Sequence, residues 1–385
     1  MKWNDEKLLK RAMKIAHLSA LSAAIVIDDK KVWSNGYGLY DRENKKKAND
    51  ETIYLMSSLS KSITATAIMQ LYEKGYFDLD EDVNNHLPFN LRNPYYPNIP
   101  ITFRMLLSHS SSLAPEEGNL YAASQLPSGK KDILQNYYCR IIPANIKVLD
   151  YPDPFLKEYL VKGGLYYRSL VWNKIPPGKV MVYSNIAFGV LGYILELLTK
   201  QSFDEYCQKN IFKPLNMENS SFLLSNLDYN KVAVSYEYKS GKYFPLIPYT
   251  FLVYPSASLR TSVKDLSSFL IAHMNDGLYK KNRILKEENI KEMHTIQCKK
   301  TYHDFYYGLG WQIKGRSFKN QFIFNTGGFW GVRAKIKFFI DDKIGIIFFS
   351  NVNPFDSKKI SKNIRRYLAD MFIDEILFRK AYLEF

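Results

Sequence analysis

Membrane-length apolar runs, paired cysteines and metal-binding spacings are all missing from this 385-residue chain. No stretch approaches the ~18 consecutive apolar residues of a transmembrane helix, and the strongest run, Ile344 to Phe349, has the length of a strand. Three widely separated cysteines (Cys139, Cys207 and Cys298) make neither a disulfide framework nor a CxxC knuckle. The six histidines (His17, His86, His109, His273, His294 and His303) show no i,i+4 pair and no HxH or HExxH spacing, which argues against a metal site. GxGxxG and P-loop patterns are absent, and with them the sequence case for a bound nucleotide. No GxSxG elbow exists, which sets aside the α/β-hydrolase route to a nucleophilic serine. Residues 1–17 are amphipathic and charged, without the apolar stretch of a secretory leader. The expectation is a cytoplasmic, reduced protein with no metal and no cofactor.

What is present is an ordinary globular balance, 46% hydrophobic and 24% charged, with 29 Tyr and 24 Phe to build a sizeable core. The length allows two or three domains, or one large two-lobed one. The net charge of +15 raises the question of nucleic acid. Its lysines, however, are scattered as pairs such as Lys130–Lys131, Lys280–Lys281, Lys299–Lys300 and Lys358–Lys359, mostly in Asn- and Asp-containing turns. Without an arginine-rich stripe this reads as a solvated surface, and no nucleic-acid partner is expected.

Hydrophobic periodicity predicts a helix over 5–17, with Leu8, Leu9, Ala12, Ile15 and Ala16 on one face. A hairpin follows over Ala23–Ile27 and Val32–Tyr40, then a helix over 58–74 stopped by Gly75. Four prolines make 86–101 a loop, short helical pieces follow between about 114 and 180, and a second clear helix spans about 186–200. In the last third, strands are predicted over Tyr307–Ile313, Asn320–Asn325, Val332–Ile340 and Ile344–Ser350. The third alternates Val332, Ala334, Ile336 and Phe338 inward with Arg333, Lys335 and Lys337 outward. A last helix would bury Ile360, Ile364, Tyr367, Leu368 and Met371. Strands at both chain ends with helices between them predict an α+β fold: one antiparallel sheet assembled from both termini, flanked by the terminal helices, beside a mostly helical lobe.

Three motifs carry chemistry. Ser58-Leu59-Ser60-Lys61 opens the helix at 58, and residues i and i+3 are neighbours on a helix surface. An alcohol is a poor nucleophile at neutral pH, and a desolvated neighbouring amine can take its proton. The N–H of Ser58, in a first turn without intrahelical acceptors, can serve a developing oxyanion. The tetrapeptide alone carries little, since Ser128 and Lys131 repeat its spacing in a hydrophilic loop. Tyr183-Ser184-Asn185 opens the second helix, where a phenol can relay a proton and an amide can hold a carbonyl or the Lys61 amine. The bland alternative is that Asn185 is a helix cap, and Tyr96 and Asn98 repeat the spacing. Asn325-Thr326-Gly327-Gly328 ends a C-terminal strand, where glycines admit a ligand to the backbone and the Gly328 N–H can be a second oxyanion donor.

Taken in this order, the three motifs resemble those of the serine β-lactamase and penicillin-binding-protein family. The nearer likeness is to its class C β-lactamase-related branch of esterases, D-aminopeptidases and D-alanyl-D-alanine carboxypeptidases. The resemblance runs from Leu55–Lys61 through Leu106–Leu113, Pro177-Gly178, Tyr183–Asn185, Phe212–Met217, Ser258–Ser262 and Asp265-Leu266 to Tyr307–Trp311. It implies one β-lactamase/transpeptidase-like domain over 1–385, with a sheet lobe of about 1–57 and 296–385 and a mostly helical lobe of about 58–295. It further implies a serine hydrolase with an acyl-Ser58 intermediate, with Lys61 and Tyr183 moving the proton. Asn185, Asn325, Thr326, Gly327 and Gly328 would then contact a small ester, amide or lactam. His109 lies in one of the matched blocks, and a structural, hydrogen-bonded role is expected for it.

Two positions depart from the pattern. Asn325 stands where the family usually has Lys or His, which removes a cation that can hold a substrate carboxylate and lowers the expectation of β-lactam or D-Ala-D-Ala recognition relative to an ester or uncharged amide. Within the enzyme reading an esterase leads, a D-peptidase follows and a β-lactamase comes third. Ser111-Ser112 stands where the family usually has Ser-Gly. The rival from another class is a catalytically silent scaffold of the same fold. Asn325 favours that rival, and the joint presence of Ser58, Lys61, Tyr183 and Asn185 opposes it. The sequence carries no signal for an oligomeric state.

Overall fold

The computed structural model describes residues 5–114, 122–123, 152–315, 321–353 and 364–384. The Ser128–Lys131 repeat, Cys139 and Ile360 lie outside them.

Helix α1 (Asp5–Ala16) leads into the hairpin of β1 (Ala20–Ile27) and β2 (Lys30–Asp41) and the short β3 (Lys46–Lys47). Then come β4 (Tyr54–Leu55), α2 (Ser60–Glu73), α3 (Asn185–Thr199), β5 (Arg260–Thr261) and α4 (Val263–Met274). The last third holds β6 (Tyr306–Tyr307), β7 (Gln312–Lys314), β8 (Phe322–Phe329), β9 (Val332–Phe339), β10 (Ile344–Ser350) and the closing helix α5 (Ile364–Glu384). Eight strands make one sheet in the order β6-β7-β8-β9-β10-β1-β2-β3. The first strand of the chain lies against the last, from Leu21 opposite Ser350 to Ile27 opposite Ile344, antiparallel throughout. The α+β architecture with a sheet drawn from both chain ends is thus the observed one.

The central strands are covered on both faces, which is why β1 and β10 read as near-continuous apolar runs rather than alternating ones. Leu21, Ala23, Ile25, Ile344, Ile346 and Phe348 pack with Leu9, Ala12 and Met13 of α1 and with Ile373, Ile376 and Leu377 of α5. Ala20, Ala24, Val26, Ile347 and Phe349 face the other way, into the core that includes Ile63, Phe269 and Leu270 of α2 and α4. The alternation predicted for β9 holds along its length. Its outward Lys335 and Lys337 are not solvated: both reach the Asp374 carboxylate of α5, at 2.8 and 3.3 Å.

Three expectations shift. The stripe of α1 is Leu9, Ala12, Met13 and Ala16, leaving Ile15 exposed, because those four are spaced i, i+3, i+4, i+7. Residues 307–313 form two strands and not one, since Gly308 N donates to Trp311 O (2.8 Å) and Gly310, at φ +78°, turns the chain back. In α5, Met371 is 52% exposed while Ile373, Ile376, Leu377 and Ala381 are buried. The face carrying those four residues is the one that docks on the sheet. Helix α2 is not amphipathic but buried on all sides from Ser60 to Leu71. Its Ser62 and Thr66 hydroxyls bond back to the carbonyls of Leu59 and Ser62, and Thr64 donates to Pro255 O (2.6 Å), so these three buried hydroxyls are all satisfied. Among the described residues no helix is long and apolar enough to cross a membrane.

Candidate active site

Strand β4 pairs with β5, and the Met56 N–H extends the ribbon by donating to Leu259 O (2.8 Å). The chain then turns sharply. Ser57 has φ +49°, a left-handed conformation uncommon for a residue with a side chain. One 3₁₀ turn, Ser57–Leu59, leads directly into α2. Ser60 fixes this corner: its hydroxyl donates to Ser57 O (2.6 Å) and accepts from Leu259 N (3.0 Å). Ser58 stands at the apex, half-buried between buried neighbours, with an N–H that no intrahelical carbonyl can reach.

One turn on, the Lys61 side chain is fully buried. Its Nζ donates to Asn185 Oδ1 (2.7 Å) and Ser256 O (2.9 Å) and lies 4.9 Å from the centroid of the Tyr183 ring. Tyr183 Oη in turn donates to Ser58 Oγ at 2.8 Å. Asn185 is the first residue of α3 and not its cap; Ser184 holds the cap position, without a side-chain cap bond. The Asn185 amide oxygen serves Lys61 instead. Two hydrogen-bonded pairs, Tyr183 with Ser58 and Lys61 with Asn185, drawn from the starts of two helices far apart in sequence, are therefore brought side by side, with Lys61 Nζ against the Tyr183 ring.

His109 holds the Tyr183 corner. Its Nδ1 accepts the Ser184 N–H (3.1 Å), its carbonyl accepts the Val182 N–H (2.7 Å), and its ring lies 4.4 Å from the Tyr183 ring. Burial, and secondarily the Lys61 charge, hold the His109 pKa well below its ordinary value. The imidazole is thus neutral, with its proton on Nε2, and acts as a brace. The block that contains it holds Ser112 just before its last residue, at φ +63°, which accounts for the glycine usual there. Here the Ser112 hydroxyl accepts from Asn93 Nδ2 (2.7 Å).

The third motif lies within β8, not at its end, because the ladder to β9 continues through Gly327 opposite Ala334 and Gly328 opposite Arg333. On its other side β8 pairs with β7 only up to Phe324, and the Ser57–Leu59 turn takes over that edge. Gly327 makes the fit possible: a Cβ there would stand 1.8 Å from Met56 O. Gly328 O accepts a long bond from Ser57 Oγ (3.4 Å). A strand residue points its N–H and C=O to the same edge, so the Gly328 N–H faces the Ser58 corner.

The remaining two residues go elsewhere. Asn325, expected to meet substrate, is 1% exposed and donates Nδ2 to Gly310 O (2.8 Å), tying β8 to the β6–β7 turn. Thr326 is half-buried and lies opposite Lys335, on the α5 face of the sheet. Sequence reasoning missed Ser57 and the Ser256 carbonyl. The Ser256 carbonyl and the left-handed turn at Ser57 are backbone features, for which side-chain identity gives no signal. Among the described residues no group of His, Cys, Asp or Glu side chains is placed to hold a metal ion.

A buried Ser-x-x-Lys corner against the edge of a two-ended antiparallel sheet is the architecture of the β-lactamase and penicillin-binding-protein fold. The Beta-lactamase family model matches residues 6–370, and the chain belongs to that family. Protein flp of Staphylococcus aureus (strain N315) is 25% identical over 273 residues, covering 70% of this chain and 48% of that protein. The chain thus spans about half the length of that relative. The octameric penicillin-binding protein homologue from Pyrococcus abyssi superposes with a TM-score of 0.74 at 24% identity, over 95% of this chain and 76% of that one. A class C beta-lactamase from Rhodobacter sphaeroides gives a TM-score of 0.69 at 16% identity, over 97% of this chain and 99% of that one. Those two likenesses are of fold.

Proposed function

We propose that the protein is a serine acyl hydrolase working through an acyl-Ser58 ester. The observation that carries this reading is the 2.8 Å contact of Tyr183 Oη with Ser58 Oγ, beside the buried Lys61 ammonium held by Asn185. From the state in which Lys61 is an uncharged amine, Ser58 Oγ attacks the substrate carbonyl carbon while its proton passes through Tyr183 Oη to Lys61 Nζ. The N–H groups of Ser58 and Gly328 receive the oxyanion. Collapse expels the leaving group, which takes that proton, and water entering near Tyr183 then cleaves the acyl ester. Losing one such oxyanion donor typically costs ~10²–10³ in rate.

Esters and D-peptide amides are the favoured substrates, ahead of β-lactams. Asn325 is neutral and committed to Gly310 O, so the third motif offers no ammonium or imidazolium to a β-lactam carboxylate. Arg333, whose NH1 lies 4.0 Å from where a Gly328 Cβ would be, is as open to a β-lactam carboxylate as to a D-peptide one, so the neutral position 325 favours an uncharged ester or amide most. The test is Ser58→Ala against a p-nitrophenyl ester, a D-amino-acid anilide and a chromogenic cephalosporin, with a serine-reactive phosphonate as label. Wild type should be labelled at Ser58 and turn over the ester or the anilide faster than the cephalosporin, and the variant should do neither. A labelled or active Ser58→Ala protein would refute the mechanism. A wild type silent on all three substrates and unlabelled would make the fold a scaffold.

A further inference from the structure

A cavity of about 490 Å³ lies behind the β4–β5 ribbon, lined by Leu55 and Arg260 of that ribbon, by Val232, Leu246 and Tyr249, and by none of Ser58, Lys61, Tyr183 or Asn185. Its volume is in the range of small-molecule sites. The odd residue is Arg260. Its side chain is 3% exposed, and among the described residues no carboxylate pairs with it. Two main-chain carbonyls, Ser258 O (3.3 Å) and Tyr249 O, take two of the five N–H donors that a guanidinium carries. Burial brings the Arg260 pKa down to about 10, so at neutral pH it is still a cation. A buried charge is ordinarily paired, because stripping its water costs several kcal/mol per ion. Here the missing partner faces a void.

The rest of the lining narrows what would fill it. Leu55, Val232, Leu246 and Pro248 supply apolar wall, which suits a hydrocarbon body. Asp41 and Glu43 line the same cavity. Asp41 already accepts from the Asn44 N–H (3.0 Å) and Glu43 from the Tyr236 hydroxyl. Lys46 lines it too, so the wall carries two cations and two carboxylates and suits a single negative charge better than a dianion such as a phosphate monoester. We infer that this cavity is a second ligand site, distinct from the Ser58 cleft, for an amphipathic monocarboxylate whose head pairs with Arg260 and whose apolar body lies along Leu55, Val232 and Leu246. A bidentate carboxylate fits the planar guanidinium fork.

Decanoate is the probe, titrated calorimetrically into the full chain beside decanol and decyl phosphate. The expected result is one site per chain, with decanoate binding at least about tenfold tighter than either control, a difference of about 1.4 kcal/mol. Arg260→Gln should abolish that preference. Val232→Trp, which fills the void and leaves Arg260 in place, should abolish binding while the melting temperature holds. Protein carrying the phosphonate on Ser58 should bind decanoate unchanged. Equal affinity for decanol, retention of binding in Val232→Trp, or loss of binding on Ser58 labelling would overturn the assignment. Should the phosphonate fail to label, the failure falls on the Ser58 mechanism, and the titrations of unlabelled protein still decide the cavity.

Discussion

Tyr183→Phe separates chemistry from structure because it removes a single oxygen. The ring that lies 4.4 Å from His109 and 4.9 Å from Lys61 Nζ remains. What disappears is the 2.8 Å bond to Ser58 Oγ. A hydrogen bond of this kind contributes about 0.5–1.5 kcal/mol to stability, and Tyr183 and Ser58 are only half-buried, which places the cost at the low end. A proton relay contributes ~10²–10⁴ in rate, or about 2.7–5.4 kcal/mol of barrier at about 1.36 kcal/mol per decade. The kinetic effect should therefore exceed the folding effect several-fold. Stopped-flow acylation by a p-nitrophenyl ester, paired with urea denaturation of the same preparation, reads both quantities. We expect kcat to fall by at least about a hundredfold, KM to move little, and the urea midpoint to stay near wild type. Acylation within about threefold of wild type would show that the phenol is not in the proton path. A loss of activity that merely tracks unfolding would refute the reasoning from the other side.

The remaining predictions concern the frame. Gly327→Ala puts a carbon 1.8 Å from Met56 O, whereas a Cβ on Gly328 meets nothing closer than 3.8 Å. The first should cost more than about 3 kcal/mol or prevent folding, and the second should stay within about 1 kcal/mol, as read by urea denaturation. Stability should fall as pH drops below about 6.5, because His109, His273 and His294 are buried neutral with folded pKa values below the unfolded one, so the unfolded chain binds the extra protons. With a folded pKa of about 3, His294 alone should remove about 2 kcal/mol between pH 7 and pH 5. His294→Gln should flatten that slope, and an unchanged slope would sink the assignment. Ile373→Ala should cost about 2–5 kcal/mol by opening a cavity between α5 and the sheet, and Met371→Ala should change stability by less than about 0.5 kcal/mol; the reverse order would mean that α5 docks by the other face.

Much of this architecture is legible in the sequence because its signals are side-chain signals. The period-2 pattern of β9 and the apolar run of β10 place the sheet, and the paired starts of α2 and α3 bring Ser58, Lys61, Tyr183 and Asn185 together. What the sequence misplaces follows from tertiary context. Periodicity over 360–371 points to Met371, but the sheet and Asp374's two lysine partners select the face carrying Ile373 and Leu377. Gly308 and Gly310 split one apolar run into two strands, because a hairpin depends on backbone freedom more than on hydrophobicity.

Asn325 shows where side-chain reasoning reaches its limit. As a letter in a motif it stands for a lost cation facing substrate. In the fold it is a buried strut, its amide closing the gap between β8 and the turn at Gly310. Gly310 itself approaches α2 so closely that a Cβ would meet Ala65 Cβ at 2.2 Å and the Lys61 carbonyl at 3.3 Å. The amide therefore fixes the distance between the strand that offers the Gly328 N–H and the helix that carries Ser58 and Lys61. A neutral residue can do this at 1% exposure without the desolvation cost of a buried ammonium. The departure at the third motif is thus compatible with an intact Ser58 group, and it moves the question of carboxylate recognition from position 325 to Arg333.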